Sequence, residues 1–174
     1  MNSQLKNIKL YCLLFLLVSI FNFSTCKYGF KDTAPIPVEV KTFRVNYLEN
    51  KAQYINTQLS PQLTEKLKAK IIGNTRLHQT NNDDAHYDIS GYVSQYFVTT
   101  ISITGNNSSG NRLTIGFHLI FKNTLDEKKN SEADLVRTID FDGNKTLTDI
   151  ESSETPKIVS TMVDQIFNKI FSNW

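Results

Sequence analysis

The chain is poor in the residues that covalent cross-linking and membrane spanning require. It has two cysteines in 174 residues. Cys12 lies in an apolar segment typical of an export signal, which is removed from the mature protein by cleavage. Cys26 is then left without a disulfide partner. The apolar run, Leu10 to Phe21, is shorter than the roughly 20 residues that a membrane-spanning helix needs. The sequence therefore argues against a disulfide-linked secreted domain and against a transmembrane anchor.

Residues suited to catalysis are equally scarce. The chain has three histidines, no G-x-S-x-G nucleophile turn and no glycine-rich phosphate loop. His86 follows Asp83 and Asp84, but a single imidazole beside a turn is a poor basis for a metal site. His118 falls on the polar face of its predicted strand and is interpreted as solvated. We predict no enzymatic activity, no cofactor and no metal.

The first 25 residues have the features of a bacterial export signal. Lys6 and Lys9 precede the apolar run, and Ser24 and Thr25 directly precede Cys26. This ending resembles the lipobox of bacterial lipoproteins, in which the cysteine is acylated and becomes the first mature residue. The resemblance implies a signal peptide over residues 1–25 and a palmitate-type lipid anchor at Cys26, which would hold the protein on a membrane.

Residues 26–37 are predicted to form a tether between the lipid and a folded domain. Pro35 and Pro37 keep the chain extended. No acidic run follows Cys26, and similar lipoproteins of Bacteroidetes-type bacteria use such a run for export to the outer surface, so a periplasm-facing attachment is favoured. The segment Asp32-Thr33-Ala34 resembles a short O-glycosylation motif, and the sequence leaves open whether Thr33 is modified.

The balance of charge argues against a nucleic-acid partner. Without residues 1–25, which carry two lysines and no acidic residue, the basic and acidic side chains are equal in number. Nucleic-acid binding requires a clustered basic face, and the sequence shows none.

The first half of the domain is predicted to be a strand followed by a helix. Val38 to Tyr47 is rich in β-branched and aromatic residues. Ser60 and Pro61 suit the N-cap and first helical position, and Gly73-Asn74 suits the helix end. The apolar residues between recur every four positions: Leu59, Leu63, Leu67 and Ile71, with Ile72 beside them.

Three strands and a second helix complete the pattern. The inward positions predicted for the strands are Tyr87, Ile89, Val93 and Phe97; Leu113, Ile115, Phe117, Leu119 and Phe121; and Ala133, Leu135, Ile139 and Phe141, with Arg137 interrupting the last series. Polar segments around residues 104–111 and 123–131 are predicted hairpin tips. The final helix carries an apolar face from Ile158 to Trp174, and its start stays open between Thr155-Pro156 and a capping box of Thr148 with Glu151.

The order of these elements predicts an α+β domain over residues 38–174. A two-layer sandwich follows, in which a four-stranded sheet is covered on one face by two helices in the order β-α-β-β-β-α.

The chain resembles the LptE-like lipopolysaccharide-assembly lipoproteins, in particular their Bacteroidetes-type branch. The matching segments are CKYGF at 26–30 with Pro35 and Pro37, VKTFRVNY at 40–47, LSPQLTEKLK at 59–68, ISGY at 89–92, NRLTI at 111–115 and IFNKIFSNW at 166–174. The resemblance implies two helices on a four-stranded sheet and a non-enzymatic protein at the outer membrane. It also implies a role as plug and chaperone within an LptD-like β-barrel that delivers lipopolysaccharide to the outer leaflet.

Basic residues near the two hairpin tips are candidates for gripping the anionic groups of lipopolysaccharide. These candidates are Arg112, Lys122, Lys128 and Lys129. They are chosen by placement, since no family motif carries over to them. The alternative function is an accessory periplasmic lipoprotein that binds another envelope protein or a small apolar ligand.

Overall fold

The computed structural model describes residues 36–102 and 109–172. The predicted signal peptide, Cys26, Thr33 and most of the tether lie outside the described residues, as does the tip of the first hairpin.

The described chain forms an α+β fold, as predicted. Its elements are β1 (Thr42–Val45), β2 (Glu49–Asn50), α1 (Leu59–Asn74), β3 (His78–Gln79), β4 (Tyr87–Ser102), β5 (Ser109–Asn123), a 3₁₀ turn (Glu127–Lys129), β6 (Ser131–Asp142) and α2 (Leu147–Phe171). The sheet order is β3-β1-β4-β5-β6, with β2 also pairing with β4. β1 runs parallel to β4, whereas β4, β5 and β6 are antiparallel. The four predicted strands are present, and β2 and β3 are two-residue additions.

The core lies between one face of this sheet and the two helices. Alternate residues of β5 from Leu113 to Phe121 are buried, which confirms the predicted period of two. The four-residue repeat of α1 from Leu59 to Ile71 is also buried, whereas Ile72 is exposed. The first strand is shorter than predicted: it covers Thr42–Val45, and Val38 and Tyr47 at its predicted ends are exposed.

Both helices begin at residues other than those predicted. The N-cap of α1 is Gln58, whose side chain makes no capping hydrogen bond, and Ser60 lies inside the helix. Thr146 caps α2, and its hydroxyl accepts from the Asp149 N–H while the Asp149 carboxylate accepts from the Thr146 N–H. This reciprocal capping box satisfies two end donors. Neither predicted start is therefore correct, and Pro156 lies inside α2.

A β-bulge decides which aromatic residue of β4 enters the core. The pairing of β4 with β5 shifts register between Val93 and Gln95. An extra residue reverses the alternation beyond it, so Tyr96 is buried and Phe97 is exposed. The prediction that Phe97 points inward is therefore wrong.

Among the described strands, β6 ends the sheet with an edge of 12 residues. Arg137 is half-buried on its helix-facing side, opposite Ile115. With Glu154 and Lys157 it lines a cavity of about 210 Å³ between β6 and α2. An inward-pointing charge on an edge strand hinders pairing with another chain.

Replacing Arg137 with leucine is therefore expected to promote self-association of the domain. The edge would then offer unpaired backbone groups beside an uninterrupted apolar row. Size-exclusion chromatography with light scattering at several concentrations measures the effect. Thr138→Leu, on the opposite side of the same strand, is the matched control; equal association of both variants would contradict a specific role for Arg137.

Candidate functional site

The face of the sheet opposite the helices, here called the open face, carries paired polar side chains. Arg44 donates from Nε to Asp88 Oδ1 at 3.2 Å and from Nη2 to Asp88 Oδ2 at 2.9 Å, and it also contacts Asp83. These carboxylates, Asp88 first, raise the pKa of the Arg44 guanidinium. Asn46 Nδ2 donates to Asp88 Oδ1 at 2.7 Å. The open face at this point is therefore polar with its charges matched.

The centre of the open face also carries polar side chains that contact one another. The ring of His118 packs against Tyr92 with centroids 5.1 Å apart, and Lys51 Nζ lies 4.7 Å from the Tyr92 ring centroid. His118 Nδ1 lies 2.7 Å from Asp134 Oδ1. The prediction of a solvated His118 needs adjustment, because its side chain is about one-fifth exposed and contacts a carboxylate.

One end of the sheet, here called the tether end, is where the chain from the predicted tether enters. Arg76 donates to the carbonyls of Ile36, Pro37 and Val40. His86 then links this entry to the turn after β5: its Nδ1 accepts from the Lys41 N–H at 2.9 Å, and its carbonyl accepts from the Thr124 N–H at 3.0 Å. The entering chain and the β5–β6 turn therefore share one end of the domain.

The opposite end, here called the hairpin end, contains the ends of β4 and β5 nearest to residues 103–108. Arg112 lies here on the open face, directly across from Asp140 of β6. Its Nε and Nη2 donate to the two carboxylate oxygens at 2.6 and 2.7 Å. This pairing raises the pKa of Arg112 and lowers the pKa of Asp140. Any other anion that binds Arg112 has to share it with Asp140.

The four predicted ligand residues do not form one site. Lys122 is ten positions from Arg112 along the same strand, a separation of about 34 Å at the usual rise per residue. Lys128 and Lys129 lie in the turn that follows β5. Lys122 and the two turn lysines thus lie toward the tether end, with Lys122 on the open face and outside the pocket that Lys128 and Lys129 line, whereas Arg112 lies at the hairpin end.

A polar cluster that the sequence did not reveal fixes the helix layer near the hairpin end. Glu151 of α2 accepts from the Tyr96 hydroxyl at 2.8 Å, from Asn56 Nδ2 at 3.0 Å and from the Tyr54 hydroxyl at 3.3 Å. The rings of Tyr54 and Tyr96 stack with centroids 5.4 Å apart. Burial is the main cause that raises the pKa of both tyrosines, so both remain hydrogen-bond donors at neutral pH.

Replacing Glu151 with alanine is expected to lower the free energy of unfolding by about 1–3 kcal/mol. The buried Tyr96 hydroxyl and Asn56 amide would lose their shared acceptor. Urea unfolding measures the change. Glu154→Ala, three residues along the same helix and 4.0 Å from Lys157, is the control and is expected to change stability little; an equal loss in both variants would contradict the role of the cluster.

Within residues 36–102 and 109–172, no group of His, Cys, Asp and Glu side chains is arranged to hold a metal ion. Neither helix in this part of the chain combines the length and apolar character that crossing a bilayer requires.

Sequence reasoning missed the contacts that join distant segments. Arg76 and Glu151 are single charged residues in polar surroundings, and no local pattern marks their partners, which lie 36–40 and 55–97 positions away. One feature of the sequence could have indicated the role of Glu151. It lies one helical turn before Thr155, on the side of α2 that faces the core.

Comparison with protein families identifies one match that covers most of the domain. The model of the LptE family, described as lipopolysaccharide-assembly, matches residues 40–172. The comparison with curated proteins gives no significant match.

The comparison with solved structures gives matches to bacterial lipoproteins. A minor lipoprotein from Acinetobacter baumannii is 17% identical, with a TM-score of 0.52 over 76% of this chain and 94% of that chain. The rare lipoprotein B from Shewanella oneidensis is also 17% identical, with a TM-score of 0.41 over 73% of this chain and 89% of that chain. At these identities the first likeness supports the fold alone.

Proposed function

The chain belongs to the LptE lipopolysaccharide-assembly family, and we propose that it is an outer-membrane lipoprotein, anchored through Cys26 and facing the periplasm. In this proposal it partners an LptD-like β-barrel as plug and chaperone while lipopolysaccharide is delivered to the outer leaflet, and it catalyses no reaction. The observation that carries the proposal is the family match over residues 40–172.

The open face is compatible with a position inside a wide barrel. A large outer-membrane barrel has a polar interior, and a surface that enters it has to present polar groups with satisfied charges. Arg44 with Asp88, and Arg112 with Asp140, meet this requirement on the open face.

The tether end is the part of the domain that the proposed lipid anchor joins. If the lipid is attached at Cys26, the chain reaches the domain at Ile36, where Arg76 holds the backbone. In this proposal the hairpin end, at the other end of β4 and β5 from the tether entry, is the end that enters the partner.

The experiment that tests the proposed function is affinity purification of the tagged full chain from detergent-solubilised membranes. We expect an outer-membrane barrel of the LptD type in stoichiometric yield. A monomer without a barrel partner would contradict the proposal and favour an accessory lipoprotein. The cavity of about 260 Å³ beside the Glu151 cluster is lined mainly by polar side chains, which argues against a small apolar ligand there.

If Arg112 contacts lipopolysaccharide directly, substitutions of Arg112 and of its partner Asp140 are expected to change lipopolysaccharide binding in opposite directions. Arg112→Gln is expected to weaken capture of lipopolysaccharide by about fivefold, the usual size of an exposed ion pair. Asp140→Asn is expected to strengthen it, because the guanidinium loses its competing carboxylate. A pull-down with purified lipopolysaccharide measures both.

Lys122, Lys128 and Lys129 are to be tested separately from Arg112, because they lie at the other end of β5. Single Lys→Gln variants in the same pull-down give their contributions. If neither Arg112→Gln nor Asp140→Asn changes capture, Arg112 does not contact lipopolysaccharide.

A further inference from the structure

A cavity of about 210 Å³ lies at the tether end, between the β5–β6 turn and the last turns of α2. Three lysines line it, Lys128, Lys129 and Lys169, together with Ser131. Its apolar wall comes from Phe121 and Ile170, whose side chains belong to the core. The cavity, here called the lysine pocket, therefore combines lysine side chains with an apolar surface.

The charges around the lysine pocket favour an anion. Among the described residues, no carboxylate lines it. The nearest acidic residues along the chain are Asp126 and Glu127, and the Asp126 side chain accepts from the backbone N–H of Lys128. Asp126 therefore shapes the turn that presents Lys128.

The position of the lysine pocket points to a membrane surface. The turn that carries Lys128 also carries Leu125, which is 52% exposed. Val38, beside the entering tether, is 75% exposed. Lysines around exposed aliphatic side chains are the composition of surfaces that lie in a lipid–water interface.

The length of the tether lets this end reach the membrane. The ten Cα-to-Cα steps from Cys26 to Ile36 span at most about 35 Å. His86 and Thr124 connect the tether entry to the turn, so an acyl anchor at Cys26 keeps the lysine pocket close to the headgroups.

We propose that the lysine pocket binds the phosphate of an anionic phospholipid in the leaflet that holds the anchor. The inference rests on the proposed lipid anchor at Cys26. The ammonium groups of Lys128 and Lys169 and the Ser131 hydroxyl would face the phosphate, and Phe121 and Ile170 the glycerol and upper acyl chain. Leu125 would enter the interface beside it. The pocket thereby fixes the orientation of the domain on the membrane, because it adds a second point of attachment to the lipid at Cys26.

The test measures vesicle binding of the chain from Cys26 onward, with Cys26→Ser so that no acyl chain contributes. Three kinds of vesicle are compared. One is phosphatidylcholine alone, and the other two contain phosphatidylcholine with either phosphatidylglycerol or lipopolysaccharide, each added at about 30% of the lipid. We expect binding to phosphatidylglycerol vesicles and little to phosphatidylcholine. Lys128→Gln with Lys169→Gln is expected to reduce that binding about 25-fold, or about fivefold for each lysine.

The matched control removes two lysines at other places. Lys145→Gln with Lys157→Gln makes the same change of charge near the hairpin end and the middle of α2, and it is expected to leave vesicle binding within about twofold. The proposal is overturned if this control loses as much binding as the pocket variant, or if phosphatidylcholine vesicles bind equally well. It is also overturned if the pocket variant loses binding only to lipopolysaccharide vesicles.

The vesicle test is independent of the proposed barrel partner. If a barrel co-purifies and the pocket variant binds vesicles normally, only the headgroup site is wrong. If the vesicle result holds and no barrel co-purifies, the proposed partnership is wrong and the membrane contact stands.

Discussion

Gly91→Ala is expected to destabilise the domain by about 2–4 kcal/mol, the combined size of overpacking and backbone displacement. A Cβ atom on Gly91 would overlap the carbonyl oxygen of His118 and lie 2.7 Å from Cζ of Phe117. The obstacle is the backbone of the neighbouring strand β5, which cannot turn away as a flexible side chain does. Phe117 is fully buried, so its ring has no free space either.

The same substitution at Gly73 provides the control. Gly73 lies in the last turn of α1, and nothing lies within 4 Å of a Cβ atom placed there. Gly73→Ala is expected to stabilise the domain by about 0.5–1 kcal/mol through helix propensity. Urea unfolding of both variants therefore gives opposite signs, and a loss of less than about 1 kcal/mol in Gly91→Ala would show that β4 and β5 separate more easily than their packing indicates.

Cys26→Ser is expected to abolish acylation and with it the membrane anchor. Each buried methylene of an acyl chain contributes about 0.8 kcal/mol to membrane binding, so the loss of the acyl chains removes the largest single contribution to attachment. Labelling with radioactive palmitate and partition into the detergent phase of Triton X-114 measure the effect. The acylated chain with Cys26 intact is expected in the detergent phase, and the Cys26→Ser variant is expected in the aqueous phase.

Cys12→Ser is the matched control, since Cys12 lies within the predicted signal peptide. It is expected to leave labelling and partition unchanged. Palmitate that still labels Cys26→Ser, or that is lost in Cys12→Ser, would contradict acylation at Cys26. If both variants were still processed to a shorter chain, removal of the predicted signal peptide would not depend on Cys26.

Several parts of the fold follow from local patterns. The strict alternation from Leu113 to Phe121 predicted a half-buried strand, because in a strand the side chains point to opposite faces in turn. The repeat of Leu59, Leu63 and Leu67 predicted the buried side of α1. In both cases one local period sufficed, since every residue in the series meets the same kind of surface.

Other parts depended on contacts between distant segments. The bulge after Val93 turns Tyr96 inward, and there its hydroxyl meets Glu151, 55 positions away. The start of α2 was missed because three Thr-containing segments offer capping groups, and only at Thr146 do both partners of the box form their hydrogen bonds. Local composition made the competing starts equally good.

By itself the sequence determined the fold class and the family: an α+β domain of the LptE lipopolysaccharide-assembly family. These depend on residue type and on short periods, which are local properties of the chain. The export signal that ends in a cysteine stays a prediction from the sequence. Only the tertiary structure decided how the charges are distributed. Arg112 and Lys122 are ten positions apart on one strand, and because an extended strand separates its ends by about 3.4 Å per residue, they occupy opposite ends of the domain. Lys128 and Lys169 are far apart in the chain yet line one pocket, because the turn after β5 packs against the end of α2.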